Sequence, residues 1–568
     1  MIILLLAWML LGIVSLSLGL WLAEHIRLFS ILRLGDRLVI ALWLGLTMLG
    51  NIWLLLSLAV PLSTELGLIS IATSGGVICL VKSIRHGIKQ LLSVCWSSWV
   101  VISCLAIATS SLMSQRVLWL DTGLYHSGHI QWLSRYGTVP GVALIHYRFG
   151  FVTSWLALAA PFDDALSGAH LTTVVTGFSF MIAALHLLVC AGRILRTGGK
   201  LSDWFIAITY SLNLSWLLVT GLQQVLVSPS TDIPIILMVS LVAWGVLVIK
   251  EQPASEGDLG ANSVTNLRLI LLALSAGAVT VKLSGLPLLI VAFLFYVSTD
   301  ISLKFFLCAL VTSNIILAPM ILSSILRSGC PLLPSTQLCF NLPWTIPMSV
   351  AESEVRSIRG WGKWFGNAPE GTNAIFWNIQ EWLALTNTSI VMLILCFLSL
   401  AMMVILLWYC RQKYPQLLWT AGLGLLGSVF VLLQAPLLRF GLGYFTLVPS
   451  ICLALCAERI WIPLRTALSE LTSNFLTAVH QSTVVAGVTV GITVVYILQG
   501  QHTHWLLPPA LPQPRVIVQV NNNVQYGYPA DGEALCWAVD QPCALGPVEF
   551  GITLRRPEVG IRGGFKKL

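Results

Sequence analysis

The chain has 568 residues, 57% of them hydrophobic and only 10% charged, with 31 Lys and Arg against 23 Asp and Glu for a net charge of +8. Ordinary soluble domains hold roughly 45–50% apolar and about 25% charged residues, so a water-soluble globular enzyme is excluded. Nucleic acid is excluded as a partner, because the basic residues sit in short connections between apolar runs rather than on one patch.

A helix crossing the hydrocarbon core needs about 20 mostly apolar residues, and such windows recur along this chain. The expected spans are 2–22, 38–61, 66–81, 90–113, 166–190, 203–220, 232–249, 268–282, 285–299, 303–325, 386–409, 416–434, 441–457 and 482–499. These fourteen predict an all-α polytopic membrane protein with a transmembrane domain over 1–499 and a small tail over 500–568. The first run has no basic segment ahead of it and reads as a retained span rather than a cleaved signal. Basic residues collect at Arg27, Arg33 and Arg37, at Lys82, Arg85 and Lys89, at Arg193, Arg196 and Lys200, at Arg411 and Lys413, and at Arg459 and Arg465. Cytoplasmic connections concentrate Lys and Arg. The N-terminus, the loops 114–165, 221–231, 326–385 and 435–440, and the tail are therefore expected on the extracytoplasmic side. The stretch 269–297 has two readings: one tilted span about 43 Å long, or two short ones folded back at Ser284-Gly285-Leu286-Pro287.

The loop 114–165 opens with Asp121-Thr-Gly-Leu-Tyr-His at the end of an apolar run. His126, His129, Ile130 and Leu133 share one helical face, Gly137 suits a C-terminal cap and Pro140 stops the helix. Tyr125, Trp132 and Tyr136 suit a headgroup region, so an interfacial helix starting at Asp121 is expected. Asp121 is either an ordinary N-cap or a functional carboxylate. The functional reading gains from His126, His129, His146, Tyr147 and Arg148 in the same loop. A divalent metal on Asp121, His126 and His129 has weaker spacing than a His-Glu-x-x-His arrangement, and no metal site is assigned.

Asp232, in Ser228-Pro-Ser-Thr-Asp-Ile-Pro, opens a later span as either a helix-dipole partner or a ligand. Lys282 lies within an apolar run, where an ammonium costs about 2.5–3.5 kcal/mol or more and usually marks a site. Arg439 stands at an outer turn, as an anchor or as a second cation. Nine of the thirteen cysteines lie in or beside apolar runs; the pairs Cys330/Cys339 and Cys536/Cys543 lie in Pro-containing loops and read as disulfides of an oxidising compartment. Unpaired thiols or a metal site are the alternatives. The tail contains one strand candidate, 516–520, and serves either as a cap over the outer loops or as an acceptor-binding module. Trp344, Trp361, Trp364, Trp377 and Trp382 are interfacial anchors or sugar-stacking platforms.

An acidic residue in the first large outer loop, followed by an interfacial helix, resembles the GT-C superfamily of lipid-dependent glycosyltransferases. Asp121-Thr-Gly-Leu-Tyr-His with Gly137-Thr-Val-Pro-Gly and Arg148-Phe-Gly is similar to an uncharacterised family of large bacterial GT-C-like membrane proteins. So are the Asp232 segment, Lys282-Leu-Ser-Gly-Leu-Pro, Ser328-Gly-Cys-Pro, Arg439-Phe-Gly, Cys536-Trp with Pro542-Cys543, and Gly563-Gly-Phe. An acid is expected just before the Arg439 turn, where Leu437 and Leu438 stand instead.

The resemblance implies a GT-C-like bundle in the bacterial cytoplasmic membrane, with its active site facing the periplasm. It implies transfer of a sugar from a polyprenyl-phosphate-linked donor to a glycan, lipid or protein acceptor, with no cofactor. Asp121 would be the general base, and His126, His129, Arg148, Asp232, Lys282 and Arg439 would bind substrate or donor phosphate. Two other classes stay open: a lipid or sugar transporter (flippase), and a non-catalytic assembly or scaffold protein.

Overall fold

A computed structural model describes residues 1–25, 32–93, 96–163, 169–219, 222–251, 258–361, 368–410, 415–472 and 504–568. Its helices are α1 (Ile2–His25), α2 (Leu34–Leu56), α3 (Thr64–Leu80), α4 (Lys82–Leu92), α5 (Trp96–Met113), α6 (Ser127–Arg135), α7 (Ser154–Ala159), α8 (Val174–Thr197), α9 (Leu201–Val219) and α10 (Gln223–Leu226). They continue with α11 (Asp232–Lys250), α12 (Asp258–Val281), α13 (Leu286–Val297), α14 (Leu303–Ser328), α15 (Met348–Trp361), α16 (Ala374–Leu385), α17 (Asn387–Cys410), α18 (Pro415–Gln434), α19 (Leu438–Phe445) and α20 (Leu447–Thr472). The protein is a polytopic helical membrane protein with a small β-containing tail.

Among the described residues, nine helices are long and apolar enough to cross a membrane: α1, α2, α8, α11, α12, α14, α17, α18 and the stretch Leu438–Trp461. Shorter apolar helices cover Thr64–Ile78, Ser98–Met113 and Leu283–Val297. The expected span 482–499 lies outside the described residues. The span expected at 166–190 is shifted to Val174–Thr197, because Leu171, Thr172 and Thr173 still belong to the packed approach to the helix. Where one span was expected at 441–457, α19 and α20 together reach from Leu438 to Thr472.

The stretch 269–297 is folded back. Lys282 is in extended conformation (φ −159°, ψ 140°), a short turn covers Leu283–Gly285, and α13 returns alongside α12. Pro287 falls in the first turn of α13, where its missing N–H costs nothing. The Tyr444 hydroxyl donates to Ser284 O at 2.7 Å and fixes the turn against α19.

The helices bury one continuous apolar core, with α11 at its centre: Ile233, Ile236, Leu237, Val239, Leu241, Ala243 and Trp244 are all buried. Lipid-facing side chains such as Phe397, Val404 and Trp408 on α17 stay exposed. At one end of the bundle, Arg33 and Arg193 bridge the buried Asp36 and Asp203 at 2.6–3.2 Å and tie α2, α8 and α9 together. The other end carries the loops after α2, α5 and α14 and the tail. There Leu62 N donates to Leu133 O, Gly141 N to Leu326 O, and Phe565 N to Pro140 O.

The tail holds two antiparallel pairs, β1 (Val516–Asn521) with β2 (Val524–Pro529), and β3 (Ile552–Leu554) with β4 (Phe565–Lys567). Both expected disulfides are present, Cys330–Cys339 and Cys536–Cys543.

Candidate functional site

Asp121 ends the connection from α5. The chain then makes one π-helical turn, Thr122–His126, and runs into α6. The helix is where the sequence places it, and Gly137 takes the left-handed conformation (φ +75°) at its end. Its setting differs from expectation, because it is not a surface helix. Residues Ser127 to Ser134 are all buried, and Trp132 packs on Phe149 and Phe565 at centroid distances of 6.2 Å instead of anchoring to headgroups. Aromatic residues suit a headgroup belt or a packed core equally well, and the tail decides between them by covering this face.

The carboxylate of Asp121 makes no capping hydrogen bond. It accepts from Trp119 Nε1 at 3.2 Å and Arg439 Nη1 at 3.4 Å, and its side chain keeps 22% exposure. Arg439, in the first turn of α19, also lies 3.9 Å from Asp232. Its guanidinium sits 4.7 Å from the ring centroids of Trp119 and Phe440. Asp232, buried at the start of α11, is salt-bridged to Lys282, whose ammonium stands 4.0 Å over the Phe440 ring. Four segments remote in sequence thus deliver two carboxylates and two cations to one point. The acid expected before the Arg439 turn is absent there, and Arg439 takes its carboxylates from Asp121 and Asp232 instead.

His126 and Tyr125 lie behind this cluster, with ring centroids 4.4 Å apart. His126 is buried, its Nδ1 has no hydrogen-bond partner among the described residues, and burial pushes its pKa down to about 4 against the pull of Asp121 and Asp232. It is neutral at physiological pH. Burial, and then the Asp121 charge, raise the Tyr125 phenol above its ordinary range.

The other two histidines face elsewhere. His129 Nε2 donates to Arg148 O at 2.9 Å, and its Nδ1 faces Arg327 Nη1 at 3.3 Å. His146 Nε2 donates to Leu124 O at 3.0 Å while its Nδ1 accepts from Arg148 N at 3.1 Å. His129 is therefore not brought to Asp121, and the trio Asp121, His126 and His129 does not converge as metal ligands. Among the described residues no group of three or more His, Cys, Asp or Glu is arranged to hold a metal ion.

Arg148 is paired instead with Glu354 of α15 at 2.9 Å, a residue that sequence reasoning missed. Arg148 lies 5.7 Å from the ring centroids of both Tyr125 and Tyr147. Trp119 was missed as well, since a tryptophan in an apolar run carries no signal of an indole N–H aimed at a carboxylate. Of the loop tryptophans, Trp382 is buried and donates to Pro436 O at 2.8 Å, Trp344 donates to Ile325 O at 3.1 Å, and Trp361 is exposed. Trp364 lies outside the described residues.

The tail closes over the Asp121 turn. Trp537 N donates to Gly123 O at 2.9 Å, and Ser127 Oγ donates to Trp537 O at 2.5 Å. A Cβ on Gly123 would stand 2.4 Å from the Trp537 ring, so this approach requires glycine.

Fold and site together define a polytopic membrane protein with an ion-paired polar centre at one end of its helical bundle. Residues 1–446 match the family described as "Domain of unknown function (DUF8201)", and the chain belongs to that family. No curated protein matches the chain, and no solved structure matches it either.

Proposed function

We propose that this protein is a membrane glycosyltransferase of GT-C type. It moves a sugar from a polyprenyl-phosphate-linked donor to an acceptor on the extracytoplasmic side of a bacterial cytoplasmic membrane. The observation that carries the reading is the convergence of Asp121, Asp232, Lys282 and Arg439 at one end of the bundle. On this reading the number of spans is fourteen.

Phosphate is a competent leaving group, so the reaction needs a base for the acceptor hydroxyl but no paired acid and base. Asp121 is the base: it is partly exposed, whereas Asp232 is buried under Lys282. The acceptor hydroxyl proton passes to Asp121 as the acceptor oxygen bonds to the anomeric carbon. The bond from that carbon to the phosphate oxygen breaks, and the leaving phosphate keeps the electron pair. Lys282 and Arg439 stabilise that charge, and Arg439 supplies a fork suited to phosphate oxygens. Asp232 holds both cations in place. Neutral His126 is available to orient the acceptor. The exposed apolar face of α13, with Leu286, Ile290 and Leu294, begins just beyond Lys282 and suits an isoprenoid tail.

The test is transfer by the purified full-length protein in proteoliposomes, supplied with radiolabelled polyprenyl-phosphate sugars and an envelope extract as acceptor. Wild type is expected to transfer label, and Asp121→Asn is expected to lose transfer by about 10³-fold or more while remaining folded. Unchanged transfer in that variant removes Asp121 from the mechanism.

A further inference from the structure

Beside the Asp121 loop, on the same end of the bundle, lies a cleft of about 480 Å³. One wall is the amphipathic helix α15, which turns Ser349, Ser353 and Ser357 into the opening. The opposite wall is Tyr147, and the rim carries Arg356 and the tail residue Glu549. Val350 is the single aliphatic side chain among the lining residues. Such a volume falls within the range of roughly 300–1,000 Å³ typical of small-ligand sites, but its polarity is unlike theirs.

The walls are held rigidly. Ala351 of α15 packs in one apolar cluster with Ala143, Cys330, Leu333 and Ile346, which joins the helix to the loop that carries Tyr147. Glu354, on the buried side of the cleft, is fixed by Arg148 at 2.9 Å. Arg148 in turn lies against Tyr125, and both Tyr125 and Glu354 sense the charge of Asp121. Arg148 and Glu354 thus stand between the cleft and the Asp121 centre, so the cleft serves the part of a ligand that lies beyond the reacting unit.

We infer that this cleft binds the distal units of the acceptor and that the acceptor is an oligosaccharide of neutral sugars; the inference rests on the glycosyltransferase reading. Three serine hydroxyls four residues apart repeat at about 6 Å along the helix, close to the length of one hexose unit. The serine and Tyr147 hydroxyls can both donate to and accept from sugar hydroxyls, and the carboxylates accept from them. The Tyr147 ring offers a face for stacking. Glu354 is already paired with Arg148, and Glu549 is matched in charge by Arg356, so the lining has no net charge to draw an anionic or cationic chain. The lack of apolar walls argues against a lipid tail, and the lack of side-chain pockets argues against a peptide.

The experiment uses the full-length protein in nanodiscs on two arrays, one of neutral oligosaccharides and one of envelope-protein peptides. Wild type is expected to capture oligosaccharides. Ser353→Trp, which fills the cleft from an exposed position, is expected to lower capture at least tenfold, while Val559→Trp on the far tail surface leaves it unchanged. Capture of no oligosaccharide, capture of peptides instead, or capture unaffected by Ser353→Trp overturns the inference. Oligosaccharide capture by a wild type that transfers no sugar defeats the transferase reading alone. Sugar transfer with capture indifferent to Ser353→Trp defeats the cleft alone.

Discussion

Arg439 Nη1 stands 3.4 Å from Asp121 Oδ2, although 318 positions separate the two residues. The same guanidinium reaches Asp232 at 3.9 Å and lies against Trp119. A lysine there keeps the charge but cannot bridge two carboxylates or stack on an indole. Arg439→Lys is therefore expected to lower transfer by about 10²-fold with little loss of expression, read from initial rates in proteoliposomes. Wild-type rates in this variant would exclude a bidentate role.

Lys282 and Asp232 form a pair with one deeply buried member, the aspartate side chain being 4% exposed and the lysine 29%. Removing the cation strands a buried carboxylate with only the more distant Arg439 for compensation. Lys282→Met is expected to destabilise the protein by about 3 kcal/mol, the low end for a broken buried pair. Lys282→Met with Asp232→Asn should recover most of that loss. Unfolding in mixed micelles by SDS titration checks both, and additive losses would show that the two residues do not depend on each other.

The Gly123–Trp537 contact links the tail to the turn after Asp121. Gly123→Ala is expected to cost about 1–3 kcal/mol by overpacking. Adding Trp537→Ala should relieve part of that cost, because the atoms in conflict belong to the indole. Strict additivity in a double-mutant cycle would mean that the tail does not press on this turn.

Three buried histidines of the outer loop set a pH dependence. Burial lowers the pKa of His126 to about 4, of His146 to about 3, and of His129 well below its ordinary value. Unfolding exposes them to water, where the ordinary value is about 6.5. Below that pH the unfolded chain binds protons that the folded chain does not. The stabilisation is thus complete above about pH 6.5 and falls as pH drops toward 4, by about 1.4 kcal/mol per pH unit for each of His126 and His146, with His129 acting in the same direction. Thermal melting in detergent from pH 7.5 to 4 reads this slope, and replacing His146 by Gln should flatten it. A melting temperature indifferent to pH over that range would contradict the burial of these rings.

Charge made most of the cluster legible. Asp121, Asp232 and Arg439 stand at the margins of apolar runs and Lys282 inside one, where a charge is costly enough to draw notice, and the fold brings all four together. The break at Lys282-Leu-Ser-Gly-Leu-Pro was visible as a Gly-Pro interruption, and the chain folds back there. Glu354 was not legible, because an acid on an amphipathic helix looks the same whether it faces water or a buried arginine. His129 misled for a related reason: its spacing from His126 is right for a site, but its ring nitrogens are taken up by the Arg148 carbonyl and Arg327. The burial of α6 depended on the tail, whose Trp537 and Phe565 come from more than 400 residues away in sequence.

The central claim is that a lipid-borne phosphate meets Asp121 at the end of the bundle that carries Lys282 and Arg439. The most direct measurement is a cryo-EM map of Asp121→Asn in nanodiscs with a polyprenyl-phosphate sugar, the variant being chosen to hold the donor uncleaved. The expected result is phosphate density within hydrogen-bond reach of Lys282 Nζ and the Arg439 guanidinium, with the lipid tail descending along α13. Phosphate density at the opposite end, beside Arg33 and Arg193, would contradict the account.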